Sequence, residues 1–243
     1  MSDAPAVIWH DLECGAYRQD LDLWITLAAS CGGPVLDIGA GTGRVALELA
    51  RRGHAVIALD RDPVLLAALA QRAARAGLLV QTQLADARDF TLASPVPLCL
   101  VPMQTVQLLA GPDERAAFLA CARRAVAPGG RLALAIADAL EAFEVADGDP
   151  PPLPDVGEID GTVYSSRPLA VRPEGGGFVL ERRREIVSPA GELTSEADHV
   201  RLAALDAPTL EREGVAAGFT VAPRATIATT ADHVGSTVVV LDG

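Results

Sequence analysis

The sequence has few cysteines, and they form neither a metal-binding nor a disulfide pattern. The four of them, Cys14, Cys31, Cys99 and Cys121, are widely spaced and include no C-x-x-C pair. Such spacing is typical of free thiols in a reducing compartment rather than of zinc ligands or a disulfide framework. We therefore predict no metal site and a cytoplasmic protein.

Positive charge is scarce as well, and long apolar runs are missing. The chain has 20 Lys and Arg residues against 32 Asp and Glu, a formal net charge of −12. A basic surface for the phosphates of DNA or RNA is therefore not expected. There is no apolar run of about 18 residues, nor a basic-then-apolar segment at the N-terminus, so no membrane partner is expected either.

The chain contains enough apolar material for one large domain. It has 243 residues, of which 50% are apolar, and no linker divides it into comparable halves. We predict a single domain over residues 1–243, with an N-terminal helical cap at 1–30. A proline-rich segment at 147–155 leads into an expected antiparallel β insertion at 156–205.

The most informative motif is an apolar strand that ends in an acid and closely spaced glycines, Val35 to Arg44. Glycine reaches positive φ at little cost, so Gly39, Gly41 and Gly43 allow a tight turn and a close approach of backbone to ligand. A helix follows from Val45, and its free N–H groups face the same crevice. The motif therefore predicts a nucleoside ligand.

Two ligand classes use such a crevice. Residues 41–46 fit the dinucleotide fingerprint G-x-G-x-x-G/A, which brings a pyrophosphate onto a helix N-terminus. Residues 37–43 also fit D-x-G-x-G-x-G, in which Asp37 would repel phosphates and attract a cationic ligand. This second pattern resembles the glycine-rich motif of the class I S-adenosylmethionine-dependent methyltransferases, whose loop lies against the cofactor's amino-acid and ribose parts.

Acids follow the next two strands. Asp60 ends an apolar strand 17 positions after Gly43, where a carboxylate can accept both ribose hydroxyls of either cofactor type. Arg61, beside it, is assigned to the same cofactor site. The methyltransferase resemblance also implies that Asp86 accepts from the adenine amino group, with Ala87 flanking the ring. The alternative is that Asp86 is an ordinary loop acid.

The end of the fourth strand faces the crevice as well, by the rule for open α/β sheets. We predict that Met103 and Gln104 lie beside the cofactor and that Gln107 lies beside the substrate. The segment Pro102 to Thr105 lacks the N/D-P-P-Y/F run, which argues against the methyltransferases that modify base amino groups.

The order of elements predicts an α/β fold with a doubly wound, mainly parallel sheet. Five strand–helix repeats are followed by a helix and a terminal strand pair. This resembles the seven-stranded methyltransferase sheet, whose last strand is antiparallel. Dinucleotide-dependent dehydrogenases usually need a separate catalytic half, and no residues remain for one.

The insertion between the fifth strand and the last helix is expected to cover the substrate as a lid. Alternation places Arg182 and Arg184 on one face of a strand, either as partners in cross-strand ion pairs or as a wall for an acidic substrate. His199 and Arg201 share a face of the next strand. They are substrate candidates, and a solvated strand pair is the alternative.

The N-terminal segment supplies two further candidates. In related small-molecule methyltransferases a tyrosine-containing segment folds over the cofactor, and Tyr17 occupies the corresponding place. Tyr17 or His10 could otherwise serve only to dock the first helix. Together with His199, these residues are the candidate catalytic bases for an acceptor that must lose a proton.

These features predict an S-adenosylmethionine-dependent methyltransferase that acts on an N or O nucleophile of a small molecule. An activated methyl donor leaves the protein mainly the tasks of aligning the nucleophile and excluding water. Two alternatives stay open: an NAD(P)-dependent oxidoreductase, and a non-catalytic regulator that binds the cofactor. The expected assembly is a monomer or a homodimer.

Overall fold

Two sheets make up the β structure of the computed structural model, which describes residues 4–146, 152–230 and 233–243. Part of the proline-rich segment, residues 147–151, lies outside the described residues. The strands are, in chain order, β1 (Val35–Ile38), β2 (Val56–Asp60), β3 (Val80–Leu84), β4 (Val96–Val101), β5 (Val126–Ile136), β6 (Phe143–Glu144), β7 (Asp155–Ile159), β8 (Thr162–Glu174), β9 (Gly177–Val187), β10 (Leu193–Ala203), β11 (Thr220–Ile227) and β12 (Ser236–Asp242).

Helices and turns connect these strands. The α-helices are α1 (Pro5–His10), α2 (Leu21–Cys31), α3 (Arg44–Arg51), α4 (Pro63–Ala76), α5 (Pro112–Ala125) and α6 (Ala207–Ala216). A π-helical turn, Asp11–Gly15, continues α1, and a 3-10 turn, Thr105–Leu108, follows β4. Local sequence explains several of the helix starts: Asp62 caps α4 by accepting from the backbone N–H groups of Val64 and Leu65, with Pro63 in the first turn.

The larger sheet has the order β11-β12-β5-β4-β1-β2-β3, which confirms the predicted mainly parallel, seven-stranded arrangement. Strand β12 is antiparallel to β5, with Leu241 opposite Leu132. After β1 the chain builds outward through β2 and β3, and then returns to place β4 on the other side of β1. The carboxyl ends of β1 and β4 therefore flank the crevice where ligands bind in such sheets.

Helices cover both faces of this sheet. Phe118 of α5 and Leu210 of α6 are buried in one apolar core. Trp24 of α2 and Leu69 of α4 are buried in the core on the opposite face. Because both faces are covered, the central strands are nearly continuous apolar runs, as the sequence pattern indicated.

The smaller sheet is antiparallel and lies between β5 and α6 in the chain, as predicted. Its order is β10-β9-β8-β6, and β7 also pairs with β8. The sequence pattern did not indicate β6 or β7, and it predicts the start of the third strand of the insertion only at about Ala197, whereas β10 begins at Leu193. Residues 191–197 are all exposed, so this part of β10 has no apolar alternation that could mark it as a strand.

Candidate active site

The glycine loop leaves β1 in a conformation that requires glycine. Gly39, Gly41 and Gly43 have φ angles of +74°, +53° and +98°. A Cβ atom on Gly39 would lie 2.4 Å from Cγ2 of Thr105, in the turn that follows β4. The loop is therefore pressed against the carboxyl end of β4, and a larger residue at position 39 would push the two apart.

Asp60 holds the same loop from the end of β2. Its Oδ2 accepts from the backbone N–H of Gly41 at 2.8 Å, and its Oδ1 accepts from the N–H of Asp62 at 2.9 Å. Each carboxylate oxygen can accept a further hydrogen bond. The half-buried Asp60 is thus fixed beside the glycines with capacity left for two donors, such as ribose hydroxyls.

Asp37 is buried beneath this loop and lacks a partner. Among the described residues, neither carboxylate oxygen has a hydrogen bond of good geometry, and only the charge of Arg44 and the nearby backbone N–H of Ala46 favour its ionised form. Burial raises the pKa of this carboxyl to about 7. A buried acid that is only partly compensated favours a positively charged ligand over a pyrophosphate beside it.

Asp86 follows β3 and is bound closely by Arg88. The guanidinium donates to both carboxylate oxygens, at 2.9 and 2.7 Å, and also to Glu114 at 2.6 Å. Hydrogen bonds from Arg88 lower the pKa of Asp86 to about 2. The positive charge of the exposed Arg61 acts in the same direction, and Ala87 packs at the edge of a core.

Met103 and Gln104 lie half-buried just beyond the end of β4. Met103 has a φ of +54°, in the left-handed region that is costly for a residue with a side chain. Such strain commonly accompanies functional positions.

Gln107, which we expected beside the substrate, instead bonds to backbone groups. Its buried amide donates to the carbonyls of Ala137 and Ala203 and accepts from the N–H of Ala137. These bonds tie the 3-10 turn to β5 and β10.

Tyr17 is buried beside a charged network that sequence reasoning did not find. Arg44, the first residue of α3, donates to both carboxylate oxygens of the fully buried Asp20 and to the carbonyl of Tyr17. The guanidinium also lies 5.2 Å from the centre of the Tyr17 ring. Trp24 donates to Asp20 from its indole N–H. This network joins the N-terminal helices to the helix start that follows the glycine loop.

His10 lies directly on the glycine loop. Its Nδ1 is 3.1 Å from the hydroxyl of Thr42, which donates to Asp11 at 2.6 Å. Asp11 also accepts from both terminal nitrogens of Arg72 on α4. A Cβ atom on Gly41 would lie 2.2 Å from Nε2 of His10, so the imidazole itself requires glycine at this position.

Glu13 attaches the same N-terminal segment to the smaller sheet. It accepts from Arg184 at both oxygens and from Ser166, all at 2.7 Å. Arg182 pairs with Asp155 on β7, and its Nε also lies 3.6 Å from Glu13. The two arginines share a face, as alternation predicts, and they are engaged in ion pairs there.

His199 and Arg201 lie on the other face of this sheet and are exposed. His199 stands opposite Glu181 in the register of β9 and β10, whereas Asp198, its neighbour, reaches Arg184. Arg201 pairs with Glu174 at 2.7 Å. The structure thus brings His10, Tyr17, Asp37 and Asp60 together around the glycine loop, but not His199 and Arg201.

S-adenosylmethionine fits the residues around the crevice. The buried, unpartnered Asp37 suits a ligand that carries an ammonium and a sulfonium charge. The positive φ angles of Gly39 and Gly43 shape a backbone cradle, and Asp60 keeps free acceptor capacity beside it. No group of three or more potential ligands within the described ranges lies close enough to hold a metal ion.

The same region of the chain matches a known family. Residues 35–130 match the family model described as Methyltransferase domain. Uncharacterized proteins of Mycobacterium bovis and Mycobacterium tuberculosis are 35% identical over 96 residues, which cover 38% of this chain and 34% of theirs. The match thus spans about a third of the length of these curated relatives.

Solved structures resemble the chain over nearly its whole length. The methyltransferase CcbJ of Streptomyces caelestis has a TM-score of 0.73 at 21% identity and covers 98% of this chain and 96% of its own. An amino pentose methyltransferase of Micromonospora echinaspora, bound to S-adenosylmethionine, has a TM-score of 0.71 at 20% identity and covers 96% of each chain. A sugar N-methyltransferase of Streptoalloteichus has a TM-score of 0.71 at 16% identity and covers 99% of this chain and 93% of its own. No helix in the described part of the chain is long and apolar enough to cross a membrane.

Proposed function

We propose that the protein transfers a methyl group from S-adenosylmethionine to a small molecule, because residues 35–130 match the methyltransferase domain model and the chain has the fold of a solved methyltransferase. The acceptor atom is a nitrogen or an oxygen. The observation that carries the proposal is the glycine loop at the end of β1, bound by Asp60 and underlain by the unpartnered Asp37.

The geometry favours this cofactor over a nicotinamide dinucleotide. A pyrophosphate on the glycine loop would lie close to Asp37, whose carboxylate would oppose its negative charge. The strand order also has the antiparallel β12 inserted between β5 and β11, unlike the all-parallel order of dinucleotide-binding folds.

The chemistry requires positioning more than covalent catalysis. When bound, S-adenosylmethionine supplies an electrophilic methyl group on a positively charged sulfur. In our proposal Asp60 accepts from the ribose, Asp86 and Ala87 bind the adenine, and Asp37 balances positive charge. Met103 and Gln104 contact the cofactor from the end of β4, and Arg61 contributes from the end of β2.

The N-terminal segment and the smaller sheet exclude water and hold the acceptor. Trp9 contacts Tyr164 edge to face, with ring centres 5.5 Å apart, and Glu13 is bound by Arg184. A covered site raises the fraction of productive encounters between nucleophile and methyl group. Tyr17 is proposed to cover the cofactor from the same side.

Relatives of similar structure suggest the acceptor classes to examine first. Two of them are described as an amino pentose methyltransferase and a sugar N-methyltransferase. We therefore propose amino sugars as the first acceptors to screen, followed by other amines and phenols. An amine must arrive deprotonated, which predicts higher turnover as pH rises toward the amine pKa.

The test is calorimetric titration of the protein with S-adenosylhomocysteine and, in parallel, with NAD. Micromolar binding of the first and no binding of the second supports the proposed cofactor; the reverse overturns it. An acceptor screen that follows methyl transfer by mass spectrometry then tests catalysis, and cofactor binding without any turnover would favour a regulatory role. Light scattering on the same sample distinguishes monomer from homodimer.

A further inference from the structure

The hydrogen bonds around His10 determine which of its ring nitrogens carries the proton. Asp11 is ionised, because hydrogen bonds from Arg72 and Thr42 outweigh burial and lower the pKa of its carboxyl. An ionised carboxylate can only accept, so the single hydroxyl hydrogen of Thr42 points to Asp11. The Thr42 oxygen must then accept from His10, and Nδ1 of the imidazole is the donor.

This arrangement leaves Nε2 of a neutral His10 without a proton. Burial lowers the pKa of the imidazole below its ordinary 6.5, so the neutral form dominates at pH 7. A neutral imidazole with its proton on Nδ1 presents a lone pair on Nε2. That nitrogen lies directly beside the glycine loop, because a Cβ atom built on Gly41 would be 2.2 Å from it.

Building on the proposed function, we propose that His10 is a cofactor-binding residue whose Nε2 accepts a hydrogen bond from S-adenosylmethionine. Thr42 and Asp11 are positioning residues that hold the acceptor form of the ring. The donor on the cofactor is a ribose hydroxyl or the ammonium group, because the methyltransferase resemblance puts the ribose and amino-acid parts of the cofactor against the glycine loop. In this arrangement His10 contacts the methyl donor and does not act as base toward the acceptor.

The charged groups around His10 are consistent with a cationic or donor-rich ligand. Asp11 and Glu13 from its own segment and Asp60 from the end of β2 surround the ring with negative charge, and Arg44 from α3 opposes them. Arg72 of α4 acts on the ring through Asp11. Protonation of Nε2 would convert the acceptor into a donor and weaken binding.

The decisive variant is His10→Asn, because its amide nitrogen can replace Nδ1 as donor to Thr42 while Nε2 is removed. We expect this variant to bind S-adenosylhomocysteine about tenfold more weakly than the unmodified protein, as for loss of one hydrogen bond. We expect the affinity of the unmodified protein to fall as the pH drops and the imidazole of His10 becomes protonated. The affinity of the variant should fall less over the same pH range, because the variant keeps the titration of Asp37 but loses that of His10. Thermal melting verifies that the variant is folded.

Thr42→Val tests the positioning role without changing side-chain shape. We expect Thr42→Val to bind S-adenosylhomocysteine about threefold more weakly, because the proton of His10 is then no longer held on Nδ1. Thr42→Ser, which keeps the hydroxyl, should restore the affinity. Titration with 5′-methylthioadenosine, which has the ribose but no amino-acid part, distinguishes the two possible donors. If His10→Asn binds both ligands more weakly, the ribose is the donor to Nε2. If it binds only S-adenosylhomocysteine more weakly, the ammonium group is the donor.

The outcomes separate this inference from the proposed function. If the unmodified protein does not bind S-adenosylhomocysteine, the proposed function fails. If it binds and His10→Asn binds equally well at every pH, the inference fails. Unchanged affinity with reduced turnover in His10→Asn would instead make His10 a base for the acceptor, and would also overturn the inference.

Discussion

At the scale of single residues, the crevice is defined by carboxylates that differ sharply in their surroundings. Asp60 is bound by two backbone N–H groups and Asp86 by an arginine, whereas Asp37 is fully buried without a well-formed hydrogen bond among the described residues. The same side-chain chemistry therefore gives an acid with free acceptor capacity, which we propose for the ribose, an ion-paired loop acid, and a buried acid, which we propose for positive charge. Environment, not residue type, assigns these tasks.

Replacing Asp60 with alanine should weaken cofactor binding. The variant loses charge-assisted hydrogen bonds to the ribose, worth about 1–3 kcal/mol, and also the bond that holds Gly41. Calorimetry with S-adenosylhomocysteine measures the change. Asp22→Ala, an exposed acid on α2 with the same charge change, is the matched control. Equal affinity in folded Asp60→Ala and control protein would refute the ribose assignment.

Asp37 should give the ligand-free protein an unusual dependence on pH. Its folded pKa of about 7 lies above the ordinary value of 3.8, so the folded state binds this proton more tightly than the unfolded state. The contribution to the free energy of unfolding is therefore greatest at acid pH and falls as pH rises from about 4 to 7, by at most about 4 kcal/mol.

Asp37→Asn should flatten that part of the stability profile and also weaken the binding of S-adenosylhomocysteine at pH 8. Urea unfolding between pH 4 and 8 measures the first effect, with Asp22→Asn as control. A variant whose profile parallels that of the unmodified protein would show that Asp37 is already ionised in the folded state at low pH.

At the scale of elements, the N-terminal segment from Trp9 to Glu13 joins two parts of the molecule. Asp11 binds Thr42 of the glycine loop and Arg72 of α4. Glu13 binds Ser166 of β8 and Arg184 of β9. Five consecutive residues thus link the cofactor crevice to the smaller sheet, through ion pairs that are partly shielded from water.

Glu13→Gln should loosen this link without unfolding the larger sheet. The variant loses the charge that Arg184 and Arg182 face, and we expect a stability loss of about 1–3 kcal/mol. Hydrogen exchange should increase at residues 8–16 and in β8 and β9, but not in β1 or β4. The exposed, paired Glu174→Gln serves as the control; equal exchange in the two variants would contradict the linking role.

At the scale of the whole molecule, the apolar core belongs to the larger sheet. Both clusters of buried side chains lie on its faces, and they include fully buried residues of β1, β4 and β5 such as Leu36, Leu98 and Leu134. The smaller sheet buries only a few apolar side chains, such as Val171 and Leu202, and carries several charged pairs along its strands. Its stability should therefore be lower than that of the larger sheet.

Native-state hydrogen exchange should reveal this difference directly. We expect the amides of β7 to β10 to exchange through openings of lower free energy than those of β1, β4 and β5. A cofactor that binds in the crevice should raise protection at residues 9–13 as well as in the glycine loop. Uniform protection across both sheets would mean that they unfold as a single cooperative unit.

Much of this molecule follows from short-range sequence patterns. The buried strands, the helix starts at Pro63 and Pro112, and the glycines at positive φ are local properties that composition and spacing reveal. The order of those elements then indicated the doubly wound sheet and the insertion, because few topologies accept that order. The motif from Asp37 to Gly43 indicated the cofactor class, because the spacing of its acid and its glycines is also a local property of the sequence.

Only the tertiary structure decided which distant side chains meet. The pairs His10 with Thr42, Asp20 with Arg44, and Glu13 with Arg184 are separated by 32, 24 and 171 residues. Likewise, the complete fold places His199 and Arg201 on the exposed face of the smaller sheet. It also brings the Gln107 amide into hydrogen bonds with backbone groups of Ala137 and Ala203. A local pattern carries propensity and periodicity, whereas the partner of a polar side chain is chosen by the packing of the complete fold.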